Sequence, residues 1–134
     1  MQTVVAGLIQ QRGKLLIAQR SQSGAHPLEW EFPGGKVEYG ESAEAALTRE
    51  LEEELGIAAV IGTEFTRYEY TYPGKKPILL IFFHVDSYKG TIQNRLGFES
   101  LQWESPAELS AFSFLAGDLP LIQLLCEISI DQIE

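Results

Sequence analysis

Apolar and polar positions follow distinct rhythms along this chain, and the rhythms divide it into elements. Residues 3–10 (TVVAGLIQ) and 15–20 (LLIAQR) are rich in apolar and β-branched side chains around the turn QRGK. They predict an antiparallel strand pair. Residues 21–29 (SQSGAHPLE) read as a loop, punctuated by Gly and Pro. The run WEFPGGKVEYGES is turn-rich, with short strands expected only around residues 30–32 and 36–38. Residues 43–55 are good helix formers almost throughout, with Ser42 as N-cap, Glu44 in the first turn and Gly56 at the C′ position. Residues 58–72 and 77–88 predict two long strands joined at PGKK, and residues 100–105 a further short one. SPAELS (105–110) resembles a short helix start with Pro at its first position. Leu121, Leu124, Leu125 and Ile128 recur at helical spacing and predict a second helix over 118–130, with Asp118 near its start. Strands, helix, strands, helix in that order suggest an α/β fold: a mixed sheet with helices on its faces.

Composition narrows the picture. The chain of 134 residues is expected to form one domain over 1–134, with no repeat or linker. The apolar run ILLIFF (78–83) is too short to span a bilayer. MQTVVAGLIQQRGK has no basic leader region or cleavage pattern, so no signal peptide is expected. Cys126 is the single cysteine, which excludes an internal disulfide and is consistent with a reducing cytosol. Its apolar neighbours predict a buried thiol. With one cysteine and two scattered histidines there is no zinc pattern. The net charge of -9 speaks against nonspecific binding to nucleic acid or to an anionic membrane. An anionic substrate would then need local cations or a metal ion.

The segment TRELEEELGI (48–57) sharpens that point. At about 100° per residue, Ala43, Ala46, Leu47 and Leu51 share one side of the helix, and Glu50 and Glu54 fall on that same side. Glu53 lies at its edge, Arg49 just beyond, and Glu52 points away. An acidic helix face is ordinarily just solvated, here with an Arg49–Glu53 pair at i,i+4. That reading suits Glu52. It does not suit Glu50 and Glu54, because carboxylates set among apolar neighbours must be paired or bound. Oxygen-only ligands favour Mg²⁺ or Mn²⁺. The Gly-rich loop running into this helix lets the backbone turn tightly and could offer the Gly34 carbonyl to a metal, although Gly34 and Gly35 alone would read as a plain turn.

These residues resemble a known family. Gly35, Glu41, Arg49, Glu50, Leu51, Glu53, Glu54, Gly56 and Ile57 match every defined position of the Nudix box, GX5EX7REUXEEXGU, at its spacing. The resemblance implies an α/β/α sandwich around a central mixed sheet. It implies hydrolysis of a nucleoside diphosphate linked to another group, with Mg²⁺ or Mn²⁺. Glu50, Glu53 and Glu54 would be metal ligands, with Gly34 lending its carbonyl. Glu50 would also handle a proton of the attacking water. Arg49 would orient the carboxylates, and Glu41 would brace the loop against the helix.

LEWEFPGGKVEYGES further resembles the MutT-like branch, which takes nucleoside triphosphates to monophosphate and pyrophosphate. Arg20 matches a basic residue near the substrate, and Phe32 an aromatic beside the base. Asp118, in GDLPLI, stands where an Asn or Asp reads the nucleobase, and is equally placed to cap the second helix. An Asp there is closer to the cytidine-triphosphate-hydrolysing members than to the oxidised-guanine members. Lys75 falls where a substrate-contacting arginine occurs, and reads as well as a solvated hairpin lysine. The branch often has a further glutamate six residues before the tryptophan of the last strand. That glutamate serves as a metal ligand or base; here its position is Gly97, and Glu99, the nearest carboxylate, would take the metal-ligand role if the loop shifts it into place. Oxidised purine and pyrimidine triphosphates are both compatible substrates. Removal of pyrophosphate from RNA 5′ ends and noncatalytic nucleotide sensing are the alternatives. The expected setting is cytoplasmic, with a small-molecule nucleotide as partner, no nucleic acid or membrane, and a monomer or homodimer.

Overall fold

Strand β1 (Gln2–Gln11) runs through the middle of the molecule in the computed structural model, which describes residues 1–127. One edge of β1 pairs in parallel with β6 (Ile78–Lys89), from Gln2–Ile78 to Ile9–Val85. The other edge is shared. Val4, Val5 and Ala6 pair antiparallel with β4 (Gly34–Lys36), while Gln10 and Gln11 pair with the start of β2 (Lys14–Gln19). β2 pairs along its length with β7 (Ser100–Glu104) and, at its end, with the two-residue β3 (Trp30–Glu31). β5 (Ala58–Tyr70) lies antiparallel to β6 on the far side, through several bulges. Among the described residues these strands make one seven-stranded mixed sheet.

Period-two alternation sends the apolar side chains of this sheet to two cores. Ala6, Leu8, Leu15, Ile17, Leu80 and Phe82 face one, where they meet α2 (Leu119–Glu127) and the 3₁₀ helix Pro106–Ala111. Val5, Ile9, Leu16, Ile81, Phe83 and Val85 face the other, against α1 (Ala43–Leu55). Helices therefore cover both faces, as expected for an α/β/α sandwich. Burying each such Leu, Ile or Phe contributes about 1.5–3 kcal/mol before conformational entropy is counted. No helix among the described residues is long and apolar enough to cross a membrane.

Four expectations need correction. The strand sought at 36–38 forms at Gly34–Lys36, because the glycines can press against β1 where larger residues could not. β5 stops at Tyr70, not residue 72. On α2 the buried residues are Leu121, Ile122 and Leu125, so the buried arc centres near Leu125. Leu124 and Cys126 each lie about 100° off that centre. Leu124 is accordingly exposed, and so is Cys126, whose thiol donates to the Pro106 carbonyl at 3.3 Å. Ile128 lies outside the described residues.

Candidate active site

The loop before α1 is held inside the sheet. Gly7 N–H donates to the Pro33 carbonyl at 2.9 Å, and Gly34 and Gly35 pair opposite Ala6 and Val5. A Cβ on Gly34 would lie 2.7 Å from Ala6 Cα and strike the Val5 carbonyl oxygen. A Cβ on Gly35 would strike the Glu50 carboxylate. Gly34 must be glycine for the loop to pack against the β1 backbone, whereas a side chain at Gly35 would displace the Glu50 carboxylate.

α1 is well bounded. The Ser42 hydroxyl accepts from Ala45 N–H at 3.1 Å, and Gly56 ends the helix at φ 71° with its N–H on the Glu52 carbonyl. Ala46, Leu47, Leu51 and Leu55 are buried, and Glu54 is buried with them. Arg49 joins helix to loop. Its Nε donates to Glu41 Oε2 at 2.8 Å, and Nη2 donates to Glu41 Oε1 at 3.0 Å and the Lys36 carbonyl at 3.1 Å. Its Nη1 reaches Glu53 Oε1 at 3.2 Å and lies 3.6 Å from Glu50. Glu41 in turn accepts from Glu38 N–H at 2.9 Å. The Arg49 hydrogen bonds hold the Glu41 carboxyl down at about 2 and push the guanidinium above its usual range.

The remaining carboxylates are strained electrostatically. Burial pushes the Glu50 carboxyl up, Arg49 opposes this, and Glu53 adds to it. Burial, Glu50 and Glu31 push Glu54 up to about 9, against a hydrogen bond from Gly34 N–H. Glu31 is also raised by burial, and Arg20 at 3.1 Å opposes that shift. Among the described residues no group of three or more His, Cys, Asp or Glu side chains stands close enough to hold an ion as it is. The expected convergence of Glu50, Glu53 and Glu54 is therefore not preformed, because Glu53 is half exposed and drawn to Arg49. The donor set still fits a hard divalent cation. It is all oxygen, it is crowded enough for its members to raise one another, and a cation relieves that repulsion.

A cleft of about 300 Å³ opens beside these groups. Glu54, Glu31 and Gly34 line it together with Arg20, Phe32 and Asp118. Phe32 stacks on Phe114 with centroids 5.5 Å apart. Asp118 is buried; burial and Glu31 push its carboxyl up to about 7, and Phe32 N–H pulls it back. It does not cap α2 in the ordinary way. Pro120 has no N–H, and Leu121 N–H donates to Tyr68 Oη at 3.3 Å.

Of the expected residues, Glu41, Arg49, Glu50 and Glu53 do not line this cleft, and Lys75 and Glu99 stay out of it as well. Lys75 is exposed in the hairpin turn, its N–H on the Tyr72 carbonyl. Glu99 is exposed, its N–H on the Gln19 carbonyl, while Leu96 and Phe98 of the same loop line the cleft. Conversely, Glu31, His26 and Tyr72 line it and were not foreseen. The signal for Glu31 was available: a lone acid between two aromatic residues in a strand. His26 and Tyr72 carried no such mark.

The NUDIX domain model matches residues 1–125. The chain is 40% identical over 120 residues to a CTP pyrophosphohydrolase of Escherichia coli, covering 90% of this chain and 87% of that one. It is 37% identical over 123 residues to an 8-oxo-dGTP diphosphatase of Haemophilus influenzae, covering 91% and 89%. The solution structure of the E. coli ORF135 protein superposes with a TM-score of 0.81 at 40% identity, covering 92% of this chain and 86% of that one.

Proposed function

The chain belongs to the NUDIX domain family, and from that premise we propose that it hydrolyses nucleoside triphosphates to monophosphate and pyrophosphate. The observation that carries this reading is that Glu54 and Gly34 of the box region line one cleft together with Arg20, Phe32 and Asp118. One nucleotide can lie along it with its phosphates by α1 and its base toward the end lined by Phe32 and Asp118. A carboxylate accepts from the exocyclic amino group of cytosine and equally from the 2-amino group of guanine, so both relatives' substrates fit this position. The net charge of -9 weighs against an RNA end as substrate.

Glu50, Glu53 and Glu54, with the Gly34 carbonyl, would hold Mg²⁺ or Mn²⁺. When bound, the cation would polarise the phosphorus, lower the pKa of a bound water and neutralise developing charge. Arg49 keeps Glu53 at the edge of α1 within 3.2 Å and anchors the loop through Glu41. Glu50, raised by burial, accepts a proton from the attacking water. Phe32 offers an apolar face to the base, and burial keeps bulk water from Asp118.

Incubation with Mg²⁺ and a panel of CTP, 5-substituted dCTP, dGTP and 8-oxo-dGTP tests the proposal. Pyrophosphate and monophosphate should appear together. Release of orthophosphate instead would place the cut at the wrong bond, and a folded protein that turns over none of them would be a nucleotide sensor.

A further inference from the structure

Three tyrosines alternate at the end of β5 and just beyond it, Tyr68, Tyr70 and Tyr72, and two of them direct their hydroxyls at one short segment. Tyr68 Oη donates to the Gly117 carbonyl at 2.6 Å and accepts from Leu121 N–H at 3.3 Å. Tyr72 Oη accepts from Gly117 N–H at 2.9 Å. Both backbone polar groups of Gly117 are thus held from β5. Asp118 follows directly, with its N–H on the Leu115 carbonyl at 2.9 Å and Leu115 N–H on the Trp30 carbonyl at 2.9 Å. Space is tight, since a Cβ on Gly117 would lie 2.7 Å from Tyr72 Oη. The Tyr68 ring packs 5.8 Å from Phe82 and the Tyr72 ring 5.2 Å from His26, so both hydroxyls are firmly placed.

Asp118 directly precedes α2, where an Asp ordinarily accepts from the N–H two or three residues on. Pro120 offers none, and Tyr68 has taken the one on Leu121. We infer that Tyr68 and Tyr72 are positioning residues for nucleobase selection: their hydroxyls fix residues 117–121 so that the Asp118 carboxyl serves the cleft instead of capping α2. The inference rests on the proposed reading of Asp118 as the base contact. The Asp118 carboxyl accepts from Phe32 N–H, and without the Tyr68 hydroxyl Leu121 N–H is freed to draw it from there back onto the helix and away from the base.

Tyr68→Phe keeps the ring in the core and removes only the hydroxyl. The measurement is kcat and KM for the preferred nucleoside triphosphate, for one with a different base, and for an abasic ribose 5′-triphosphate. The kcat/KM ratio between the two bases should fall about tenfold, through KM for the preferred one, as expected for losing a hydrogen bond to a charged group. The abasic substrate should change less than about twofold by the same reasoning. Tyr72→Phe and Gly117→Ala should move the ratio in the same direction, and either replaces Tyr68→Phe if that variant folds poorly. An unchanged ratio, or an equal loss on all three substrates, overturns the proposal. If the wild type turns over no nucleotide, the fault lies with the functional reading, and NMR titration of the Asp118 carboxyl decides this one separately. Its midpoint should lie near 7 in the wild type and drop in Tyr68→Phe, and an identical midpoint in both overturns the inference.

Discussion

Arg49 reaches Glu41, Glu53 and the Lys36 carbonyl at once, so a single guanidinium orders the loop and one face of α1. Glu53 is the exposed end of that arrangement, which separates its chemistry from stability. Glu53→Gln should lower turnover by about a hundredfold or more. It should lower stability by about 1 kcal/mol or less, as for other half-exposed ion pairs. Parallel kinetics and thermal melts check this, and full activity would remove Glu53 from the site. Asp118 gives a pH signature. Its pKa is about 7 in the folded chain and about 3.9 unfolded. Below about pH 4 both states are protonated and the group is neutral in the balance. As pH rises through that window the unfolded chain ionises first, so stability falls. Asp118→Asn removes the penalty, and its melting temperature relative to wild type should be higher at pH 8 than at pH 4.5. A difference independent of pH would contradict the buried carboxyl. Of these residues, Arg49, Glu53 and Asp118 were legible from spacing and motif alone. Glu31 carried only the local signal of an acid between two aromatic residues, and its placement against Arg20, Glu54 and Asp118, remote in sequence, came from the fold.

α1 was the most legible element, since cap, first turn, apolar stripe and C′ glycine are all local. Gly56 carries a further tertiary constraint. At φ 71° a side chain is strained, and a Cβ would lie 2.7 Å from Arg95 Nε, which itself belongs to the loop bonded to the end of the helix. Gly56→Ala should therefore destabilise the fold by about 1 kcal/mol or more, measured by denaturant unfolding. A loss no larger than that of an exposed surface substitution would show that the helix end relaxes freely. β4 and α2 were harder to read. β4 forms where glycines let two backbones approach, and no side-chain rhythm reports that. α2 is apolar on more than one face, so periodicity alone could not choose Leu125 over Leu124 as its centre. Lys75 and Glu99 fall outside the cleft for a similar reason: each sits in a connection whose path depends on distant strands.

At the scale of the molecule, β1 shares one edge between β4 and β2, and that division lets the Gly-rich loop enter the sheet beside α1. The same arrangement brings Glu31 of β3, Leu115 and Asp118 to the cleft wall, so that Glu54 and Gly34 share one opening with the proposed base contact. A chain of net charge -9 has no general attraction for a polyphosphate, and in the proposed reading the burden falls on the cation that Glu50, Glu53 and Glu54 would hold. The most direct test is pyrophosphate release from CTP as Mg²⁺ is titrated, in the wild type and in Glu54→Gln. No release in chelator, saturable activation in the wild type, and a need for at least about tenfold more Mg²⁺ in Glu54→Gln are expected. Equal release with and without the ion, or superimposable titrations for the two proteins, would contradict that reading.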